Sequence, residues 1–185
     1  MTTEPDIRRR AVFLDRDGVI SRAIVRAGRP YPPASLAELE VLPGVPEALR
    51  ALQARGYRLV IVTNQPDVAR GTTPKSLVDS MHDRLTSQLP LDAVFTCLHD
   101  DADRCECRKP LPGLIARAAA ELHIDRAASY LVGDRWRDIE AGRRAGCRTV
   151  FVDHEYDEPR PQSYDFRVTS LPEAAEIILR TDFPA

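Results

Sequence analysis

No stretch of this 185-residue chain approaches the roughly 20 consecutive apolar residues that cross a bilayer. Positive charge is not in excess either. With 26 Lys and Arg against 28 Asp and Glu, the formal net charge is −2, so nothing marks a surface for nucleic acid or another polyanion. The opening residues, MTTEPDIRRRAVFLD, set charges directly before a strand-like run and hold neither the apolar core nor the cleavage site of a secretory signal. No internal repeat or low-complexity segment interrupts the pattern. Cysteine is scarce, and three of the four cysteines crowd into residues 97–107 at metal-like spacing. A reduced thiol site fits that arrangement better than a disulfide framework. These absences predict a cytoplasmic protein with no membrane and no nucleic-acid partner. Hydrophobic residues at 43% and charged residues at 29% are ordinary for a globular chain, and the length suits one domain over residues 1–185, acting as a monomer.

Short apolar runs alternate with helix-period segments. AVFLD (11–15), YRLVIVT (57–63), DAVFTC (92–97), SYLVGD (129–134) and RTVFVD (148–153) read as buried strands without polar alternation. Between them, Val45, Ala48, Leu49 and Leu52 fall at helical spacing, as do Ile115, Ala118, Ala119 and Leu122. Residues 74–88 and 136–146 are weaker helical stretches, and Leu171, Ala174, Ala175 and Ile178 give a last helix. Strand–helix alternation predicts an α/β fold of Rossmann-like type, a parallel sheet with helices on both faces. Residues 21–42 and 153–165 read as irregular, and Cys147 as a small buried hydrophobe.

In such sheets ligands bind beyond the carboxyl ends of the strands. Those ends carry Asp15 with Asp17, Thr63 with Asn64, the Cys97 loop, and Asp134. Carboxylates this close repel one another unless a proton or cation lies between them, and a convergence of Asp15, Asp17 and Asp134 suits Mg²⁺, which prefers hard oxygen ligands. Thr63 offers a hydroxyl for phosphate oxygens. Lys109, kept out of helix by Pro110, offers a point charge to a phosphoryl group.

The segments FLDRDGVI, VTNQ, CRKP and VGDRWRD, in that order, resemble the four motifs of the haloacid dehalogenase (HAD) superfamily of phosphohydrolases. The resemblance spans roughly residues 11 to 152. It implies a Mg²⁺-dependent phosphatase in which Asp15 is the nucleophile that becomes an aspartyl-phosphate. Asp17 would protonate the leaving oxygen and then take a proton from the hydrolytic water. Mg²⁺ would be held by Asp15, by the backbone carbonyl of Asp17 and by Asp134. Thr63 and Lys109 would bind the phosphoryl group, with Asn64, Gln65 and Arg108 orienting the rest of the substrate. Arg135 stands where relatives commonly carry Lys and would reach the same pocket, with Asp138 a supporting carboxylate.

Cys97, His99, Cys105 and Cys107 make a complete Cys₃His set, and closed sites of that kind hold structural zinc. This loop resembles that of a zinc-bearing subgroup of the superfamily. Zinc would fix the loop, and the loop would aim Arg108 and Lys109 at the phosphate. No segment is long enough for a cap domain. The resemblance implies a small sugar phosphate or bisphosphate as substrate, with D-glycero-D-manno-heptose 1,7-bisphosphate in the lead. Histidinol phosphate is the alternative; its cationic leaving group would favour an acidic patch drawn from Asp67, Asp100, Asp101 and Asp103. A zinc-stabilised binding protein without catalysis is a third reading.

Overall fold

The computed structural model describes residues 9–181, so the reading of the first eight residues lies outside it. Six parallel strands form the main sheet: β1 (Ala11–Leu14), β4 (Arg58–Asn64), β5 (Ala93–Cys97), β6 (Tyr130–Gly133), β7 (Arg148–Val152) and β8 (Phe166–Val168). Their spatial order is β5-β4-β1-β6-β7-β8. All residues of β1 and β6 are buried, as expected for central parallel strands covered on both faces. The chain turns in opposite directions on the two sides of β1, and the crevice at that switch is where a ligand is received in such sheets.

Among the described residues five α-helices cover the sheet: α1 (Val45–Ala54), α2 (Lys75–Gln88), α3 (Gly113–Glu121), α4 (Trp136–Ala145) and α5 (Leu171–Thr181). Their apolar stripes divide the core in two. Val45, Leu49 and Leu52 of α1, Met81 and Leu85 of α2, and Ala174 and Ile178 of α5 pack on one face. Leu114, Ile115 and Ala118 of α3 and Ile139 and Ala141 of α4 pack on the other, where Cys147 is also buried. Each expected strand and helix is present to within a residue or three of its ends.

Two features were not expected. Residues 21–42, read as irregular, fold back as an antiparallel hairpin, β2 (Ile24–Arg26) with β3 (Arg29–Tyr31). The edge strand β8 adds to β7. Strands of three residues are too short to show a period, and both pair at a margin where little is buried.

Candidate active site

Asp15 leaves β1 with the ladder still running, its amide donating to the Val132 carbonyl at 3.0 Å. This carries its side chain to the switch point. The chain then turns through Gly18 at φ +88°, where a Cβ would lie 2.0 Å from Asp134 Oδ2, so any other residue would strain the turn and displace that carboxylate. Asp134 follows β6 directly, and Thr63 and Asn64 close β4. Lys109 arrives from the loop after β5. The Asn64 side chain brackets the Lys109 backbone, donating to its carbonyl and accepting from its amide, each at 3.1 Å. Asn64 therefore holds Lys109 in place while also lining the cleft.

The Lys109 ammonium is buried and spends its donors on Asp15 Oδ1 at 2.6 Å, the Val62 carbonyl at 2.8 Å and Asp138 Oδ1 at 2.5 Å. Burial alone would lower its pKa, but Asp138 and Asp15 outweigh that and raise it, so it stays charged. Asp138 also accepts from the Arg135 amide at 3.0 Å, which caps the start of α4. Asp15, Asp134 and Asp138 each place an oxygen within 4.8 Å of the others. Two of these carboxylates, Asp15 and Asp138, thus share one ammonium in a buried pocket, and Asp134 stands beside them without it. Burial pushes the Asp15 carboxyl up to about 6, with Lys109 pulling the other way. Burial, then Asp15 and Asp138, hold the Asp134 carboxyl well above the usual carboxylate range.

Both oxygens of Asp134 are buried without a hydrogen-bond partner among the described residues. The Tyr156 hydroxyl is close enough to ease the charge yet outside hydrogen-bonding geometry. A buried carboxylate with no partner, in a cluster of net negative charge, is what a hard divalent cation fits. The Asp17 side chain is not part of that cluster. It faces Arg16, Ser21 and Gln65, so any share it takes in holding a cation falls to its backbone carbonyl.

Asp17 Oδ2 accepts from Gln65 Nε2 at 3.0 Å, and the same amide nitrogen donates to Thr63 Oγ1 at 3.0 Å. Gln65 therefore braces two site residues. Arg108, expected at the phosphate, lies along its own loop, with Nε on Asp101 at 2.7 Å and Nη2 3.7 Å from Asp100. Charge within the loop outcompetes the cleft for it. Arg135 does line the cleft, paired there with Glu158 through Nε at 2.7 Å and Nη2 at 2.5 Å.

The cleft encloses about 270 Å³. Beyond the motif residues its walls are Arg29 and Tyr31 of the hairpin, Arg70, Arg137 of α4, and Glu158 of the 153–165 stretch. None of these was assigned a role from the sequence, whereas Asp138 was expected as a supporting carboxylate from the motif resemblance. Asp67 and Asp100 are both paired with Arg70, and Asp101 with Arg108 and Arg137. The acidic patch considered from sequence is thus largely neutralised.

The cysteine loop closes as the spacing implied. Cys97, His99, Cys105 and Cys107 place one donor atom each within 4.8 Å of one another. The Cys107 sulfur lies 3.0 Å from that of Cys97 and 3.5 Å from that of Cys105, and His99 Nδ1 lies 3.3 Å from Cys107 Sγ. The donor set is soft and complete, and it fits one tetrahedral ion such as zinc.

The haloacid dehalogenase-like hydrolase family matches residues 33–146. The chain is 38% identical over 151 residues to the D-glycero-beta-D-manno-heptose-1,7-bisphosphate 7-phosphatase of Yersinia pestis, covering 75% of this chain and 77% of that protein. Against the enzyme of the same name from Escherichia coli (strain K12) it is 32% identical over 190 residues, covering 95% and 96%. A crystal structure of D,D-heptose 1.7-bisphosphate phosphatase from B. bronchiseptica, complexed with magnesium and phosphate, superposes with a TM-score of 0.79 at 31% identity, covering 93% of this chain and 99% of that one.

Proposed function

The chain belongs to the haloacid dehalogenase-like hydrolases and is a phosphatase, and from that premise we propose that it removes the 7-phosphate of D-glycero-β-D-manno-heptose 1,7-bisphosphate through a phosphoenzyme formed on Asp15. The observation that carries the chemistry is the pairing of a buried Asp15 with Lys109 beside the unpartnered carboxylate of Asp134. Asp15 Oδ attacks phosphorus, the P–O ester bond breaks, and the sugar oxygen takes a proton from Asp17. A water then gives a proton to Asp17 and attacks the same phosphorus, releasing inorganic phosphate and restoring Asp15. Lys109 keeps Asp15 in place and meets the phosphoryl oxygens as a point charge. Thr63 lies beside it on the cleft wall, fixed by Gln65. Mg²⁺, when bound by Asp15, Asp134 and the Asp17 carbonyl, neutralises charge on the transferring group.

The substrate reading rests on the named relatives and on charge. Of the wall arginines, Arg70, Arg135 and Arg137 are paired with acids, and Arg29 has no ion-pair partner among the described residues, so Arg29 is the cation left to favour a substrate with a second anionic group. Histidinol phosphate brings a cation instead, and the acids that would receive it are already paired. Cys97, His99, Cys105 and Cys107 hold structural zinc in this reading; four protein donors leave no position for a catalytic water. One domain carries the whole activity, a monomer in the cytoplasm, where thiols stay reduced.

The test is phosphate release with Mg²⁺ from heptose 1,7-bisphosphate, other sugar phosphates, histidinol phosphate and nucleotides, with Asp15→Asn as blank. Strong preference for the heptose bisphosphate, absent in the blank, is expected. Preference for histidinol phosphate would overturn the substrate, and equal turnover by Asp15→Asn would overturn the nucleophile.

A further inference from the structure

Arg16 is the largest fully buried side chain among the described residues, and it is charged. Its guanidinium grips Asp17, with Nε 3.1 Å from both carboxylate oxygens and Nη2 2.8 Å from Oδ2. On its far side, Nη1 meets His82 Nε2 of α2 at 3.2 Å. His82 is a half-buried ring in the middle of that helix. Burial and the neighbouring Arg16 push its pKa down to about 4, so the ring is neutral. A neutral ring facing an N–H donor accepts at Nε2 and carries its proton on Nδ1. Without it, Nη1 would be left buried and unpaired, at a cost of about 1–3 kcal/mol.

We propose that Arg16 and His82 are positioning residues for Asp17: carboxylate, guanidinium and imidazole form one buried chain that fixes where the Asp17 carboxyl points when it hands its proton to the leaving group. This rests on the reading of Asp17 as acid and base. Arg16 reaches both oxygens of Asp17 from one side, while Ser21 Oγ holds Oδ1 at 3.1 Å. Gln65 Nε2 also donates to Oδ2 at 3.0 Å, so both oxygens are held and the carboxyl, which lines the cleft, keeps one face toward it. His82 fixes the plane of the guanidinium and so the angle of that face. A proton donor misplaced by a fraction of an ångström loses rate without losing substrate.

A residue that acts through the acid has a signature that a purely structural one lacks. An alkyl ester needs a proton on its departing oxygen, whereas nitrophenolate leaves without one. The experiment measures kcat/KM of the metal-loaded enzyme for the preferred sugar phosphate and for p-nitrophenyl phosphate. The variants are His82→Leu, His82→Gln, Arg16→Lys and, as reference, Asp17→Asn. Asp17→Asn is expected to lose about 10²–10⁴-fold on the sugar phosphate and far less on the aryl ester. His82→Leu should show the same split at roughly tenfold or more, and His82→Gln, which keeps an acceptor for Nη1, should recover most of the loss. His82 sits half-exposed on a helix, so its variants decide the matter even where Arg16→Lys fails to fold. Equal losses of His82→Leu on both esters, or no loss, while Asp17→Asn still splits them, would overturn the positioning role alone. Absence of a split in Asp17→Asn would overturn the acid itself and this proposal with it.

Discussion

Replacing Asp15 with asparagine should abolish turnover, yet at neutral pH it should also make the metal-free protein more stable. Burial raises the Asp15 carboxyl to about 6 from an ordinary value of 3.8. A group whose pKa is raised on folding favours the native state below its unfolded pKa, and that benefit is lost as pH climbs through the folded one. Each pKa unit corresponds to about 1.4 kcal/mol, so Asp15 alone withdraws about 3 kcal/mol between pH 4 and pH 7. The asparagine variant lacks this proton. Its stability relative to wild type should therefore rise by about 3 kcal/mol over that window, or roughly 6–12 °C in Tm for a chain of this size. The assay is urea or thermal unfolding of both proteins from pH 4 to 7 in Mg²⁺-free buffer without chelator, which leaves the cysteine loop as it is in both. Adding Mg²⁺ at pH 7 should narrow the gap, because the ion stabilises only the wild-type carboxylate set. A gap that stays constant with pH would refute the account of Asp15 as a charge held at a cost.

Cys105→Ser removes one soft donor from the cysteine loop and should lower zinc content, measured by elemental analysis, and Tm together, with activity falling as a consequence; a zinc-free variant with unchanged Tm would exclude the structural role. Gly18→Ala puts a methyl 2.0 Å from Asp134 Oδ2 at a φ of +88°, a backbone conformation that costs an alanine about 1–2 kcal/mol. It should raise the Mg²⁺ concentration needed for half-maximal phosphatase activity at least tenfold, read by titration of the metal, and an unchanged requirement would mean that Asp134 does not hold the ion.

The five long strands were legible because each is a continuous apolar run, which a strand buried on both faces must be. The motif residues were legible for a related reason: Asp15, Thr63, Lys109 and Asp134 each sit at or just after the end of such a run, or next to a proline that fixes the chain. What could not be read was set by contacts across long separations. Arg16 and His82 lie on different elements, and nothing local to either marks the pair. Arg108 stands beside Lys109 in sequence, yet Asp100 and Asp101 draw it away along its own loop. Glu158 reaches Arg135 from a stretch whose prolines and charges show no period at all. Asn64 and Gln65 line the cleft, and their bracing of Lys109, Asp17 and Thr63 could not be read from the sequence.

The hairpin and the 153–165 stretch meet next to residues that line the cleft, Arg29 and Glu158, where the Asp157 amide donates to the Gly28 carbonyl at 2.8 Å. Gly28, at φ +75°, leaves no room there for a side chain. Together with the Glu158–Arg135 pair, this seam makes an archway out of two segments that contribute nothing to the sheet's central strands. The doorway and the hearth are therefore built from separate parts of the chain. Lengthening, shortening or recharging the archway should change what is admitted while the phosphoryl-transfer residues keep their places. A search for variants that accept other phosphate esters should begin with paired changes at residues 24–32 and 154–160, made together so that the seam between them survives.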